Sequence, residues 1–161
     1  MSFFNQSAFK APKFLVTTHT SAQATSSSTN TFQTILGSEI LYEPAENSTK
    51  VIYEISYYAE RISGIIFQDI RLQESTDNGS TWSEINAKFR RNYGNSGSSG
   101  QSNRWYLHFR YVLPAWSSEK RLRLSSASNS SYPHNLHQMS EWDGSSATDQ
   151  FCDTNLLVYS I

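Results

Sequence analysis

The nine residues Trp105-Tyr106-Leu107-His108-Phe109-Arg110-Tyr111-Val112-Leu113 place a large apolar side chain at every odd position, with His108 and Arg110 between them. A repeat of two is the period of a β-strand, in which successive side chains point to opposite faces. A helix would need its apolar residues three and four apart. Trp105, Phe109 and Tyr111 are also of the aromatic type that fits a pleated, half-buried surface.

The same alternation recurs on both sides of this stretch. Residues 50–58 carry Val51, Tyr53, Ile55 and Tyr57 on one face, with Glu54 and Ser56 on the other. Residues 66–74 set Ile66, Gln68, Ile70 and Leu72 against Asp69, Arg71 and Gln73. Residues 121–126 alternate Arg121 and Arg123 with Leu122 and Leu124, and residues 156–161 form a closing strand with little polar content. Between these lie turn signals. Pro44-Ala45-Glu46-Asn47-Ser48 separates a short strand at 40–42 from the one that begins at Lys50. Asp77-Asn78-Gly79 predicts a hairpin, because Asn-Gly supplies the positive φ angles of a tight turn. Gly94-Asn95-Ser96-Gly97-Ser98-Ser99-Gly100 reads as a flexible surface loop between close strands. Seven or eight strands and no sustained helical stripe predict an all-β domain, a two-sheet antiparallel β-sandwich. The terminal strand needs neighbours on both sides, which predicts a central place in its sheet.

Residues 1–31 differ from the rest. Phe3, Phe4, Phe9, Phe14, Leu15 and Val16 follow no period, and residues 17–31 are almost wholly Thr, Ser, Ala, Gln and Asn. Two readings fit. One is an extended N-terminal arm, with Phe3, Phe4, Phe9 and Phe14 as its attachment residues, docking on a neighbouring subunit or partner. The other is that part of it forms an edge strand of the same domain. The expected organisation is an arm over 1–31 and a sandwich domain over 32–161.

Composition narrows the classes further. The chain has 161 residues, a size suited to one domain with its own core. Charged residues are only 17% and the net charge is −1, while 28 Ser, 12 Thr and 11 Asn fill the surface fraction. With aromatics at 14%, this is a folded chain with an uncharged, hydroxyl-rich surface and not a disordered one. No apolar run reaches the length of a membrane span, and no signal peptide is visible. One cysteine, Cys152, excludes an internal disulfide framework and a multi-cysteine metal cluster. Eight bases and one acid lie between Lys88 and Arg123, and four acids and no base follow Arg123. That pattern predicts charge complementarity within the domain or across a subunit interface, not nucleic-acid binding.

Among local motifs, Ser75-Thr76-Asp77-Asn78-Gly79-Ser80-Thr81-Trp82 fits the Asp-box pattern of sialidase-type propeller blades. In that pattern the Asp ties down a hairpin and the Trp packs beneath it. A single copy, in a chain with room for about two blades, makes it a structural turn. His134 and His137, followed by Glu141 and Asp143, could offer metal donors, but Pro133 and the Ser-rich surroundings read as a loop, and no metal is expected. No nucleophile elbow or phosphate-binding loop occurs. Neither an enzymatic activity nor a cofactor is expected.

Several segments together resemble a small β-domain recurrent in structural proteins of marine tailed bacteriophages. They are Gly37-Ser38-Glu39-Ile40-Leu41-Tyr42-Glu43-Pro44, Lys50-Val51-Ile52-Tyr53-Glu54, Leu136-His137, Glu141-Trp142-Asp143-Gly144 and the final strand from Asn155 to Ile161. The resemblance spans residues 37–161, and the hairpin at 75–82 and the loop at 94–100 have no place in it. It implies a TNF/C1q-type jelly roll that assembles as a homotrimer on the virion surface, made in the host cytoplasm. Only about 36 residues precede the module, too few for a fibre shaft, which favours a head-decoration (cement) protein or short head fibre. Its partners would be other copies of itself and virion proteins such as the major capsid protein or a fibre base. The alternative is a host-receptor or carbohydrate-binding tip of a tail fibre, with Tyr132, His134, His137 and Trp142 in a loop facing a surface glycan.

Overall fold

The computed structural model describes residues 10–24, 31–62, 65–95, 102–128, 134–142, 144 and 147–161. The described strands are β1 (Lys13–Thr17), β2 (Gln23–Ala24), β3 (Gln33–Thr34), β4 (Ile40–Tyr42), β5 (Lys50–Ile62), β6 (Ile65–Ser75) and β7 (Ser83–Asn95). They continue with β8 (Ser102–Pro114), β9 (Lys120–Ser128), β10 (Asn135–Leu136), β11 (Gln138–Trp142), β12 (Ala147–Phe151) and β13 (Thr154–Ser160). No helix occurs among the described residues.

The alternating stretches pair with each other. β5 and β8 run antiparallel over thirteen residues, from Lys50 opposite Pro114 to Ile62 opposite Ser102. Along its other edge β5 pairs with β13 from Val51 to Ser56 and with β10 at Ala59 and Glu60. β1 adds to the far side of β13, so the closing strand is central, as its apolar content predicts. The second sheet runs β4-β9-β6-β7, with β3 also on β9, and β11 and β12 form a separate hairpin.

Taking the eight principal strands, one sheet runs β1-β13-β5-β8 and the other β4-β9-β6-β7. First and last strands are neighbours in the first sheet, and the chain crosses between sheets at every connection except the β6–β7 hairpin. That connectivity is a jelly roll, two Greek keys wrapped into an antiparallel sandwich.

The core lies between the sheets. Val51, Tyr53, Ile55, Tyr57, Tyr111, Leu156 and Val158 from one sheet meet Ile40, Tyr42, Ile70, Leu72, Leu122 and Leu124 from the other, and all are buried. Because strand side chains alternate, burying these odd or even sets turns the remaining set outward. Four fully buried tyrosines give the core its bulk, and Tyr53 donates its hydroxyl to the Ser38 carbonyl at 2.5 Å. Burial holds the Tyr53 and Tyr57 phenols well above their usual pKa, so both stay neutral.

One expectation changes. The segment 1–31 is not an arm over its whole length: Lys13–Thr17 is the edge strand of the domain's own sheet, so the fold begins before residue 32. The reason is backbone pairing, since β13 offers a free ladder that any extended segment can complete, whatever its side-chain period. Residues 1–9, with Phe3, Phe4 and Phe9, lie outside the described residues. The charge pattern resolves as complementarity within the domain. Arg104, Arg110, Lys120 and Arg121 pair with Glu60, Glu54, Glu74 and Glu39, acids from the first half of the chain and not from its acidic end.

Candidate functional site

The outer face of the β1-β13-β5-β8 sheet is built by the side chains that the core leaves behind. Cross-strand register places them in rows. Phe14, Leu157, Glu54 and Arg110 form one row across β1, β13, β5 and β8, and Val16, Asn155, Ser56 and His108 form the next. Tyr159, Ile52 and Val112 make a third, and Tyr58 and Tyr106 stand opposite each other beyond His108, with ring centres 5.1 Å apart.

Much of this face is apolar and open to solvent. Phe14 is 62% exposed, Val16 50%, Tyr106 58% and Val112 45%. Its polar centre is a single knot. The Glu54 carboxylate meets His108 Nε2 at 2.9 Å and Arg110 Nε at 3.7 Å, while Arg110 Nη2 donates to the Tyr159 hydroxyl at 3.0 Å. Beside this knot, Phe14, Leu157, Asn155, Ser56 and His108 line a hollow of about 130 Å³. The charges are therefore matched in place, and the surface around them gains by leaving water. Isolated exposed apolar residues are ordinary on a monomer, and here they flank the knot, Phe14 and Val16 on β1 and Tyr106 and Val112 on β8.

The sequence-predicted ligand loop takes a different form. His134 is 1% exposed and His137 fully buried, so neither imidazole is open to solvent. Trp142 lies in β11 opposite Ala147, Tyr132 lies outside the described residues, and so does the side chain of Trp142. What reads as a loop in sequence is two short strands, β10 and β11, with His137 between them at φ 63°. Of the four attachment phenylalanines, Phe14 alone falls among the described residues, and it stands on the outer face.

His137 belongs to a cluster that spacing does not reveal. Its ring stacks on His19, with centroids 3.8 Å apart and planes 9° from parallel. Thr154 Oγ1 lies 3.0 Å from both His19 Nε2 and His137 Nδ1, and Gln23 Oε1 lies 3.1 Å from His137 Nε2. Burial, with His19 adding, pushes His137 down to about 3. Burial also lowers His19, against the opposing charge of Asp153. The Cys152 thiol is half-buried and held above its usual pKa by burial and by Asp153 and Glu60, which is the opposite of a reactive thiolate.

The hairpin at 75–82 is a closed structural unit. Asp77 accepts from the Ser75 hydroxyl at 2.6 Å, the Thr81 hydroxyl at 2.6 Å and the Thr81 amide at 2.9 Å. Trp82 Nε1 donates to the Gly79 carbonyl at 3.0 Å, and Arg123 stacks over the Trp82 ring at 3.9 Å.

No protein-family model matches the chain, and no curated protein sequence does. Among solved structures, one of infectious bursal disease virus, Gx strain, aligns with a TM-score of 0.45 at 10% identity, covering 94% of this chain and 38% of that one. A structure of Eiger TNF from S. frugiperda aligns with a TM-score of 0.37 at 8% identity, covering 85% and 92%. This chain thus spans well under half the length of the viral chain that it matches. The jelly-roll assignment rests on the strand order.

Proposed function

We propose that this chain is a non-enzymatic viral structural protein, a trimeric surface component of a tailed-phage virion, acting as a head-decoration protein or short head fibre. The observation that carries the reading is the outer face of the β1-β13-β5-β8 sheet, where Phe14, Val16, Leu157, Tyr159, Val112 and Tyr106 surround an already neutralised Glu54 knot. Such a face suits self-association: apolar area supplies the driving force, and paired charges avoid the cost of burying a lone one. Threefold closure would also cover the outer edge of β1, which among the described residues pairs only with β13. The sequence resemblance supplies the virion context and the trimer.

In this role the protein performs no bond chemistry. Copies associate through the sheet face, and a remaining surface or residues 1–9 attach to the capsid. The carbohydrate-tip reading loses two of its four residues to burial, since His134 and His137 offer no polar atom to a glycan.

Native mass measurement at micromolar concentration tests the first half, with an expected mass three times the 18.3 kDa of one chain. A monomer would overturn the association. Imaging of particles with a labelled chain tests the second half: labels on the head support the reading, and labels on the tail tip or no incorporation refute it.

A further inference from the structure

The His19–His137 stack sits where the N-terminal strands are fastened to the domain. β1 is an edge strand whose side chains are exposed from Lys13 to Val16, so little buried area holds it down. β2 is only Gln23–Ala24. Between them, His19 stacks on His137 and reaches the Thr154 hydroxyl, and Gln23 reaches the other nitrogen of His137. The segment is thus fastened by the backbone ladder of β1 on β13 and by a polar clasp, and not by a hydrophobic face.

The donor and acceptor assignments follow from the neighbours. Gln23 Nε2 donates to the Thr34 carbonyl at 2.6 Å, and its Oε1 accepts from the Leu36 amide at 2.9 Å. Its orientation is therefore set, and Oε1 takes the Nε2–H proton of His137. The neutral ring then accepts at Nδ1 from Thr154 Oγ1, which in turn accepts from His19 Nε2. A second proton on His137 would turn the Thr154 hydroxyl toward the Leu36 carbonyl, 3.2 Å away, so hydrogen bonding itself does not resist it. Resistance comes from placing a charge in a fully buried ring that is stacked on another imidazole.

We propose that this clasp is an acid-sensitive latch, which holds β1 and β2 closed at neutral pH and releases them when the histidine pair takes up a proton. Among the described residues, the titratable and charged groups facing the pair are few. Tyr57 of β5 has its ring centre 6.0 Å from that of His137 and is kept neutral by burial. Asp153, next to Thr154, acts on His19, and Cys152 donates its backbone N–H to the His137 carbonyl at 2.8 Å. Glu60, farther along β5, is paired with Arg104.

The sign is fixed by the closed state. His137 is pushed down to about 3 when the latch is shut and returns toward ~6.5 when it opens, so closure is fully favoured above ~6.5 and weakens as pH falls. One imidazole of this kind changes the opening equilibrium by roughly 30-fold between pH 7.5 and 5.0. Opening would lift Phe14 and Val16 from the outer face, but the inference needs no virion role, and its test does not depend on one.

Hydrogen exchange of the full chain at pH 7.5 and 5.0, corrected for intrinsic rates, tests it. The expected result is a loss of protection of roughly 30-fold in residues 13–24, with β6 and β9 unchanged. A change below threefold, or a loss spread evenly over the domain, overturns the proposal. In the H19Q/H137N variant the two pH values should give the same protection, Asn being tolerant of the positive φ at 137. Persisting pH dependence there overturns it too. Should that variant not fold, imidazole proton shifts of the wild type decide: a His137 that titrates without increased exchange in residues 13–24 refutes the latch.

Discussion

Phe14 stands directly opposite Leu157 across the β1–β13 pair, both on the face that the core leaves outside. One comes from the segment that reads as an arm, the other from the closing strand, and together they edge the hollow beside Glu54. The one described phenylalanine of the expected arm thus stands on the same outer face as the closing strand.

On the proposed association through this face, replacing Leu157 with Arg should separate the copies. A cation placed in an apolar contact, beside a Glu54 already paired with His108 and Arg110, is expected to weaken association by at least 100-fold, about 3 kcal/mol. Sedimentation velocity reads the change, and an unchanged far-ultraviolet spectrum shows that the sandwich is intact. An oligomer that survives L157R would mean that association uses another surface.

Core truncation should act on stability alone. Leu124 is fully buried on β9 between the sheets, and Leu124→Ala should cost about 3 kcal/mol, within the usual 2–5 for such a cavity. The midpoint of urea unfolding measures it.

Gly37 is a tight steric site. It has φ +78°, and a β-carbon there would lie 2.8 Å from Thr17 Cβ and 2.9 Å from Thr154 Cβ. Gly37→Ala is expected to cost about 2 kcal/mol and to lower the melting temperature by roughly 4–8 °C. A melt within 1 °C of wild type would show that the loop re-forms without strain.

The 75–82 hairpin should loosen in acid. Three hydrogen bonds to its carboxylate hold Asp77 well below its usual value of 3.8. A carboxyl depressed in the folded state stabilises above its unfolded pKa and loses that contribution as pH falls through and below it. Trp82 fluorescence should therefore shift at low pH before global unfolding, and Asp77→Ala should show the shifted signal already at pH 7. Identical acid profiles for the two proteins would refute this.

The strands that were legible in sequence are those buried on one face only. Residues 105–113 and 50–58 alternate because one face meets the core, so periodicity located β5 and β8 without a structure. β7 was harder. Its register on β6 jumps between Arg71 and Gln73, so that Phe89 and Glu84 lie opposite residues only two apart. A bulge of that size breaks the period on which the reading depends. β1 was missed as a settled strand for another reason. Its residues are exposed on both faces, and its place is determined by backbone pairing to β13, which leaves no side-chain pattern. β10 and β11 are too short to show a period.

The site divides the same way. Phe14 was singled out because an exposed phenylalanine needs a partner, and it does lie on the outer face. Its row-mates Leu157, Glu54 and Arg110 come from three distant segments, and only strand register joins them. His134 and His137 looked available because they sit among polar residues, yet tertiary packing buries both.

By itself, the sequence determined the fold class, the alternating strands, the Asn78-Gly79 turn and the central place of the last strand. Each follows from local sterics or from the single requirement that one face of a strand be hidden. Tertiary structure alone decided that the first strand closes the domain's own sheet. It alone paired Arg104, Arg110, Lys120 and Arg121 with acids of the first half, and stacked His19 on His137 across more than a hundred residues. Those outcomes depend on which strands become neighbours, and neighbourhood in a jelly roll is set by long-range backbone pairing, for which a one-dimensional pattern carries no record.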